Sequence, residues 1–319
     1  MSEETRSNIE IITDKIAELK TAMEQSVVGQ ERMIEQMVIC LLANGHALIE
    51  GVPGIAKTLS AKTLSGLVQA DFGRIQFTSD LMPSDVIGTS VFNLKSNEFE
   101  FKHGPVFKEV LLIDEINRAP AKTQAALFEV MEESQISVDG TTYKLSDLFF
   151  VLATQNPIEQ EGTYRLPEAQ LDRFLFKIVV DYPGEEEEVN IMKLHGTKTA
   201  STKIKPILKA KDLLKLRQEI QKVIIEEKLL NYIAAIVNKT RNSADLYLGA
   251  SPRASIGIMQ ASKVKAVLSG RDFVIPEDIQ HVTYPVLRHR LILSPEREME
   301  GLSSDEIVKM ILDQIEVPR

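Results

Sequence analysis

The sequence predicts an α/β protein whose mainly parallel sheet is covered by helices on both faces and is followed by a smaller, all-helical domain. Five apolar segments alternate with helical segments between residues 47 and 180, and this alternation implies a three-layer, mainly parallel sheet. A glycine-containing turn joins the first strand to a helix, and beyond residue 206 the pattern is almost entirely helical. At 319 residues the chain has room for two domains, predicted as 1–184 and 185–319.

The N-terminal region is predicted to form two helices. Apolar residues recur at helical spacing over residues 7–25, which predicts an amphipathic helix. These residues are Ile9, Ile12, Ile16, Leu19 and Met23. Residues 27–30 then make a turn, and a second helix is expected over roughly 30–44.

The first domain is predicted to contain five strands and two hairpins. The strands are expected at 47–49, 74–77, 110–113, 148–153 and 175–180. Helices are expected at 59–68, 80–87 and 121–133. Residues 90–102 alternate between apolar and polar around a turn at 95–97, which indicates a hairpin. A second hairpin at 136–143 turns at Asp139-Gly140, a dipeptide that hairpin turns favour.

The second domain is predicted to be helical and to begin near residue 185. Four carboxylates at 185–188 suit the first turn of a helix, and residues 197–206 resemble a linker. Further helices are expected at 211–222, 226–241, 252–269, 276–289 and 303–315. Ser251-Pro252 is a typical helix start, and Gly270 is expected to end that helix.

Composition and charge narrow the classes of function. The net charge of −9 disfavours sequence-independent binding to nucleic acid. Apolar runs are too short to span a bilayer, so no membrane insertion is expected. The single cysteine, Cys40, is predicted to be buried, and a chain with no possible internal disulfide suits the cytoplasm. A basic cluster is interpreted as a solvated face of linker and helix. It comprises Lys203, Lys205, Lys209, Lys211, Lys215 and Arg217.

A predicted phosphate-binding loop connects the first strand to its helix. The loop consists of Gly51, Val52, Pro53, Gly54, Ile55, Ala56, Lys57 and Thr58. Backbone N–H groups of such a loop, and the N-terminus of the helix after it, bind phosphate oxygens. Lys57 is expected to reach the β- and γ-phosphates, and the hydroxyl of Thr58 to bind Mg²⁺. A chance turn of similar composition is the alternative, which the rest of the chain makes less favoured.

Ala56 stands where the general loop pattern has its second glycine. Alanine tolerates the position if its backbone φ angle is negative. We therefore predict negative φ at residue 56.

Two further sets of polar residues follow predicted strands. Asp114 and Glu115 directly follow the apolar segment 110–113. At the carboxyl edge of a parallel sheet they would lie beside the phosphate loop, with Asp114 binding Mg²⁺ and Glu115 acting as general base. Asn156 follows the strand 148–153 and could contact the γ-phosphate or the attacking water. A simple Asn-Pro turn is the alternative interpretation for Asn156.

Six motifs in order together resemble those of MoxR-type AAA+ ATPases, over about residues 25–315. The motifs are VVGQ at 27–30, GVPGIAKT at 51–58, LLIDEINRAP at 111–120, ATQNP at 153–157, LPEAQLDRF at 166–174 and GASPRA at 249–254. The resemblance implies an AAA+ core, with a five-stranded parallel sheet, and a helical lid domain. It also implies that alanine is usual at position 56, and that the two hairpins are the insertions of the helix-2-insert clade.

The resemblance assigns roles to individual residues. Val27, Val28 and Gly29 would lie beside adenine. Asn156 matches sensor 1. Arg173 matches the arginine finger that acts on the nucleotide of the adjacent subunit, and Arg253 matches sensor 2, in cis or in trans. Together these roles imply ATP and Mg²⁺ as cofactors and a homo-oligomeric ring, expected to be a hexamer.

Several functions remain open from the sequence. The leading hypothesis is an ATP-driven remodelling or maturation factor for a protein client, with a von Willebrand factor A domain protein as the partner that the resemblance suggests. Alternatives are a magnesium-chelatase-like motor subunit, which shares both hairpins, and a nucleic-acid translocase, which the acidic charge disfavours. A pseudo-ATPase is disfavoured because Lys57, Thr58, Asp114 and Glu115 are all present.

Overall fold

A computed structural model of the chain describes residues 3–52, 54–157, 163–196 and 204–318, without the side chains of 3–10 and 194–196. The strands are β1 (His46–Gly51), β2 (Phe72–Gln76), β3 (Gly88–Asn93), β4 (Glu98–His103), β5 (Val110–Asp114), β6 (Gln135–Val138), β7 (Thr141–Lys144), β8 (Phe150–Gln155), β9 (Phe174–Val180), β10 (Leu246–Leu248) and β11 (Ile292–Leu293). Within the described residues, no helix is long and apolar enough to cross a bilayer.

Helices surround the main sheet and make up most of the C-terminal part. The first seven are α1 (Glu3–Ser26), α2 (Glu31–Leu42), α3 (Lys57–Leu67), α4 (Pro83–Ile87), α5 (Ala121–Glu133), α6 (Glu168–Leu171) and α7 (Glu185–Gly196). The others are α8 (Ala210–Gln221), α9 (Glu227–Arg241), α10 (Pro252–Leu268), α11 (Pro276–Leu287), α12 (Pro295–Met299) and α13 (Ser304–Asp313). All the predicted helices are therefore present, with bounds shifted by a few residues, and the linker prediction at 197–206 falls mostly outside the described residues.

The five-stranded sheet is fully parallel and has the order β2-β5-β8-β1-β9. The predicted fold class is thus confirmed. Since all five strands run the same way, their carboxyl ends meet at one edge, which carries Gly51, Gln76, Asp114, Gln155 and Val180. This edge is where ligands bind in open α/β sheets.

Apolar residues fill both sides of the sheet. The smaller cluster contains Leu111, Phe128 and Phe174, on the side of α5. The larger cluster runs from Ile16 of α1 to Ile258 of α10 and so joins the sheet to the C-terminal helices. The lid therefore shares its hydrophobic core with the α/β region, and the boundary between residues 184 and 185 stays a prediction.

The carboxylate of Glu35 on α2 makes further polar contacts between the α/β region and the lid. It accepts from Lys20 of α1 at 3.3 Å and from Lys265 of α10 at 2.6 Å, and lies 3.0 Å from Nε2 of His281 on α11. His281 and Lys265 hold the pKa of Glu35 well below its usual range, although burial opposes them. The contact links four helices at one carboxylate.

Both predicted hairpins are confirmed, and they contact each other. β3 pairs with β4, and β6 pairs with β7 around Asp139 and Gly140, which both have positive φ. The hydroxyl of Ser90 donates to Asp139 at 2.5 Å, and the rings of Phe101 and Tyr143 stack at 4.6 Å. The two hairpins therefore form one surface.

The interpretation of the basic cluster as a solvated face is wrong for Arg217. Lys205, Lys209, Lys211 and Lys215 are exposed, and Lys203 lies outside the described residues. The guanidinium of Arg217 is buried and donates to the carbonyl of Leu41 at 2.7 and 2.9 Å, to Asn44 at 2.6 Å and to the carbonyl of Asp147 at 3.0 Å. Arg217 can be buried because the Leu41 carbonyl at the end of α2, the side chain of Asn44 and the Asp147 carbonyl accept its hydrogen bonds.

Candidate nucleotide-binding site

The loop between β1 and α3 is shaped by two glycines for different reasons. A Cβ atom at Gly51 would lie 2.6 Å from the carbonyl oxygen of Val180 on β9, so the close approach of the two strands requires glycine. Gly54 has φ +89°, and a Cβ there would meet nothing within 4 Å, which leaves space above the loop. Val52 lies between them, and Ile55 follows Gly54. Pro53, also predicted to bind nucleotide, lies outside the described residues.

The prediction that Ala56 has negative φ is wrong. Its φ is 59° and its ψ is 20°, in the left-handed region, where it precedes the first residue of α3. That conformation costs an L-residue about 1–2 kcal/mol. The backbone must reverse here to begin α3 with its N–H groups facing the loop. Alanine therefore adopts the conformation that glycine would adopt more easily.

The predicted catalytic residues of the core lie around one cavity of about 430 Å³. Its lining includes Lys57, Thr58, Asp114, Glu115 and Asn156. The ammonium of Lys57 donates to the carbonyl of Gly51. Burial lowers the pKa of Lys57, whereas the carboxylates of Asp114 and Glu115 oppose that shift. The cavity thus combines a cation, a hydroxyl and two carboxylates at the carboxyl edge of the sheet.

Side chains that the sequence analysis missed hold the acidic pair. Asp114 is buried and accepts from Nε of Arg74 on β2 at 2.7 Å. The carboxylate of Glu115 accepts from Gln76 at 2.9 Å and lies 2.8 Å from Nε of Arg118. Arg74 and Gln76 are two residues apart on β2, so both point to the same side of the sheet. That spacing was the only sequence signal for them.

Thr154 on β8 adds a buried hydroxyl beneath the acidic pair. It accepts from the backbone N–H of Glu115 at 3.0 Å and lies 3.4 Å from a carboxylate oxygen of Asp114. Glu115 itself has φ +56°, in the left-handed region. The strained backbone and this hydrogen bond together direct the Glu115 side chain toward the cavity.

A second, apolar cavity of about 400 Å³ lies next to the first. Gly54, Ala56 and Leu59 line both. Val27 and Val28, which are expected to lie beside adenine, line it together with Tyr182, Pro183, Ile191 and Met192. Gly29 lies beside it with φ +74°, and a Cβ there would be 2.9 Å from Glu187 of α7. The apolar walls suit a flat aromatic base.

Arg173 and Arg253 do not line either cavity. Arg173 precedes β9, whose first residue pairs with His46 at the amino end of β1. The loop follows the other end of β1, so the length of the strands separates Arg173 from it by roughly 20 Å. Both arginines bind the carboxylate of Glu132 at the end of α5, Arg253 at 2.5 Å. Within one chain they lie at the opposite edge of the sheet from Lys57.

The residues at the first cavity fit a magnesium nucleotide. Mg²⁺ in nucleotide sites takes one or two protein oxygens and completes its coordination with phosphate and water. Thr58 and Asp114 supply such oxygens at one cavity. No group of three or more His, Cys, Asp or Glu side chains that could hold a metal occurs among the described residues. Beside these two protein oxygens, a metal would take its other ligands from phosphate and water.

Comparisons with known proteins agree with this geometry. Residues 46–176 match the ATPase family associated with various cellular activities (AAA), and residues 238–311 match the AAA lid domain. The chain is 46% identical to the uncharacterized protein YeaC of Bacillus subtilis, over 92% of this chain and 91% of that protein. It is 44% identical to Chaperone MoxR1 of Mycobacterium tuberculosis, over 93% of this chain and 81% of the relative.

Other similarities extend the same pattern. Protein MoxR of Paracoccus denitrificans is 30% identical over 92% of this chain and 93% of its own length. A crystal structure of a candidate ATPase from Cytophaga hutchinsonii superposes with a TM-score of 0.92 and is 44% identical, covering 99% of this chain and 98% of the other. Together with the loop, the acidic pair and the helical lid, these similarities show that the chain belongs to the family of MoxR-type AAA+ ATPases.

Proposed function

We propose that the chain hydrolyses ATP in the presence of Mg²⁺ and uses the reaction to remodel a protein client. The observation that supports this is the meeting of Lys57, Thr58, Asp114, Glu115 and Asn156 at one cavity beside an apolar cavity of suitable size for adenine. The base would lie against Val27 and Val28, with Gly29 shaping the turn. The triphosphate would extend along residues 51–58 toward Lys57.

The residues around the first cavity are proposed to have separate roles in the reaction. Lys57 and the N–H groups of the loop bind phosphate oxygens. Thr58 and Asp114 would hold Mg²⁺, which neutralises developing phosphate charge. Glu115 accepts the proton of the attacking water, and Asn156 orients that water. Arg74 donates to one carboxylate oxygen of Asp114, so Mg²⁺ would share this carboxylate with Arg74 or displace it.

Arg173 and Arg253 are proposed to complete the site of an adjacent subunit. They lie too far along the sheet to reach the cavity of their own chain. An arginine supplied in trans contributes about 10³–10⁵ to the rate in related phosphoryl transfers. Head-to-tail contacts of this kind close into rings. We therefore propose a ring, expected to be a hexamer, as the active form.

Two features support a protein client. One relative is named a chaperone, and the hairpin β3–β4 carries large apolar side chains that are solvent-exposed: Leu94 is 87% exposed and Phe99 is 74% exposed. Exposed apolar patches are typical of protein-binding surfaces. A von Willebrand factor A domain protein is the proposed partner. The cytoplasm is the proposed location, since Cys40 is a buried thiol with no disulfide partner in the chain.

The experiment that tests this proposal uses Glu115→Gln. This variant should bind ATP, with phosphate release at least ~10²-fold slower than the wild-type protein, because the general base is lost. Lys57→Ala should bind ATP weakly, and Glu129→Gln, an exposed glutamate on α5, should behave as the wild-type protein. Client identity would follow from proteins retained by ATP-bound Glu115→Gln but not by Lys57→Ala. Undiminished hydrolysis by Glu115→Gln would contradict the proposal.

A further inference from the structure

Glu132 binds two arginines that come from different parts of the chain. Arg173 precedes β9, and Arg253 lies on the first turn of α10 in the lid. One carboxylate oxygen of Glu132 contacts Arg173, and the other accepts from Arg253 at 2.5 Å. Arg173 also donates to the carbonyl of Phe128, one helical turn earlier on α5, at 3.1 Å. The end of α5 is therefore the surface on which both guanidinium groups are placed.

The charges in this cluster do not cancel. Two guanidinium groups and one carboxylate carry a net charge of about +1. Burial, and after it the charge of Arg253, lowers the pKa of Arg173. Arg253 is 49% exposed and Glu132 is 37% exposed, so the cluster faces solvent. Such a cluster attracts an anion with several oxygen atoms, which can bind both arginines at once.

The backbone on either side of the cluster is held separately from Glu132. Asp172, next to Arg173, accepts from Arg290 at 2.7 Å and from the hydroxyl of Ser251 at 2.9 Å. Ser251 also caps α10 by accepting from the N–H of Arg253. The backbone segments that carry Arg173 and Arg253 are thus linked through the side chains of Asp172 and Ser251. Removal of Glu132 would take this carboxylate from both arginines without separating their backbones.

We propose that Glu132 is a positioning residue that holds Arg173 and Arg253 side by side in the free subunit, and that the triphosphate of the adjacent subunit takes its place. The carboxylate then occupies the position of a phosphate group and competes with it. This inference rests on the proposed role of Arg173 in trans, and it assigns Arg253 to the same neighbouring nucleotide. Nucleotide-dependent assembly therefore includes the transfer of both arginines from Glu132 to phosphate.

Glu132→Gln tests this exchange. The amide removes the negative charge, so it competes less for the arginines. ATPase activity should reach half its maximum at a protein concentration roughly threefold to tenfold lower than for the wild-type protein, since the two ion pairs that compete with phosphate are partly exposed and therefore weak. The maximal rate per subunit at saturating protein should stay within about twofold, because the groups that act on phosphate are intact. Glu132→Ala should shift the midpoint in the same direction.

Glu133→Gln is the matched control, because Glu133 is the adjacent exposed carboxylate on α5. It should keep the wild-type midpoint. A purely structural role of Glu132 would lower the melting temperature and leave the midpoint unchanged, and an unchanged or raised midpoint overturns the inference. Arg173→Ala distinguishes a failure of the proposed arginine finger from a failure of the proposed role of Glu132. If it hydrolyses ATP at the wild-type rate, the finger assignment itself fails; if it is inactive while Glu132→Gln is unshifted, only the role of Glu132 fails.

Discussion

At the scale of single residues, Ala56 shows how the site strains its own backbone. Its φ of 59° is comfortable for glycine and unfavourable for residues with a Cβ. Ala56→Gly should therefore change the free energy of unfolding by no more than about 1 kcal/mol, since relief of strain is offset by the entropy of the unfolded chain. Ala56→Val should lower the free energy of unfolding by at least ~2 kcal/mol, because a β-branched residue fits this region worst.

Urea unfolding of the wild-type protein, Ala56→Gly and Ala56→Val at pH 7.5 measures these differences in the free energy of unfolding. Leu59→Val, on the first turn of α3, provides a control for β-branching at negative φ. An Ala56→Val variant as stable as the wild-type chain would contradict the left-handed conformation.

His46 at the start of β1 should make the free energy of unfolding depend on pH. Its Nε2 atom donates to the carbonyl of Met131 at 3.4 Å, and its Nδ1 atom accepts from the N–H of Val151 at 3.1 Å. The bond from Val151 requires an unprotonated Nδ1 atom, and burial lowers the pKa of His46 to about 4, although the bond to Met131 opposes that shift. The stabilisation is therefore complete above the unfolded pKa of about 6.5 and is lost as the pH falls toward 4.

The expected loss of unfolding free energy from His46 over this range is at most about 3 kcal/mol. His289 is buried as well, and its pKa also lies below the usual value, so it adds to the same trend. Chemical unfolding of the wild-type protein and of His46→Gln between pH 7.5 and pH 4.5 checks the contribution of His46. The variant should show a shallower dependence on pH, and equal slopes would contradict the assignment.

At the scale of elements, strands and hairpins were predictable where the local pattern determines them. The turn at Asp139-Gly140 needs positive φ at both residues, and this dipeptide provides it. The strand predicted at 148–153 is instead Phe150–Gln155, because pairing with β1 extends to Thr154 and Gln155. Polar residues at a strand end carry no apolar signal, so partner strands decide where such a strand ends.

The start of α10 is an element whose position should affect catalysis. Ser251 caps this helix and also donates to Asp172, the residue before Arg173. Ser251→Ala should lower the free energy of unfolding by about 1 kcal/mol. It should also lower the ATPase rate by roughly twofold to tenfold, because Arg253 and Arg173 lose a common anchor and misplaced groups catalyse poorly.

Ser303→Ala is the matched control, since Ser303 caps α13 in the same way by accepting from the N–H of Glu306. It should cost a similar free energy and leave the rate unchanged. Thermal unfolding and steady-state phosphate release at saturating ATP distinguish the two. Equal rates for the two variants would show that the cap of α10 has only a structural role.

At the scale of the whole molecule, the functional contacts that the sequence could not predict join segments far apart in the chain. Arg217 reaches the end of α2, Arg74 reaches Asp114, and Glu132 binds Arg253 from the lid. Apart from the two-residue spacing of Arg74 and Gln76, no sequence pattern marks these residues, because each is positioned by tertiary packing. The loop residues and the acidic pair were predictable since their chemistry fixes their spacing along the chain. Motifs therefore located the candidate nucleotide site, and tertiary packing positions its supporting side chains.

Because the two arginines and the phosphate loop lie at opposite edges of one sheet, activity should depend on contacts between subunits. Arg173→Ala and Lys57→Ala should each be nearly inactive alone. In an equal mixture, a Lys57→Ala subunit can supply its Arg173 to a neighbour whose Lys57 is intact. With random head-to-tail assembly about a quarter of the junctions are complete, so the mixture should recover up to about a quarter of the wild-type rate per subunit.

The control mixes the Arg173→Ala variant with a double variant that carries both Arg173→Ala and Lys57→Ala. That mixture contains no subunit able to supply Arg173, so it should stay inactive at every ratio. Phosphate release measured across the mixing ratios should peak near equal amounts, because complete junctions need both kinds of subunit. A mixture of the single variants that stays inactive although mixed assemblies form would show that no active site is shared between subunits. A peak near equal amounts would mean that assembly completes the catalytic site.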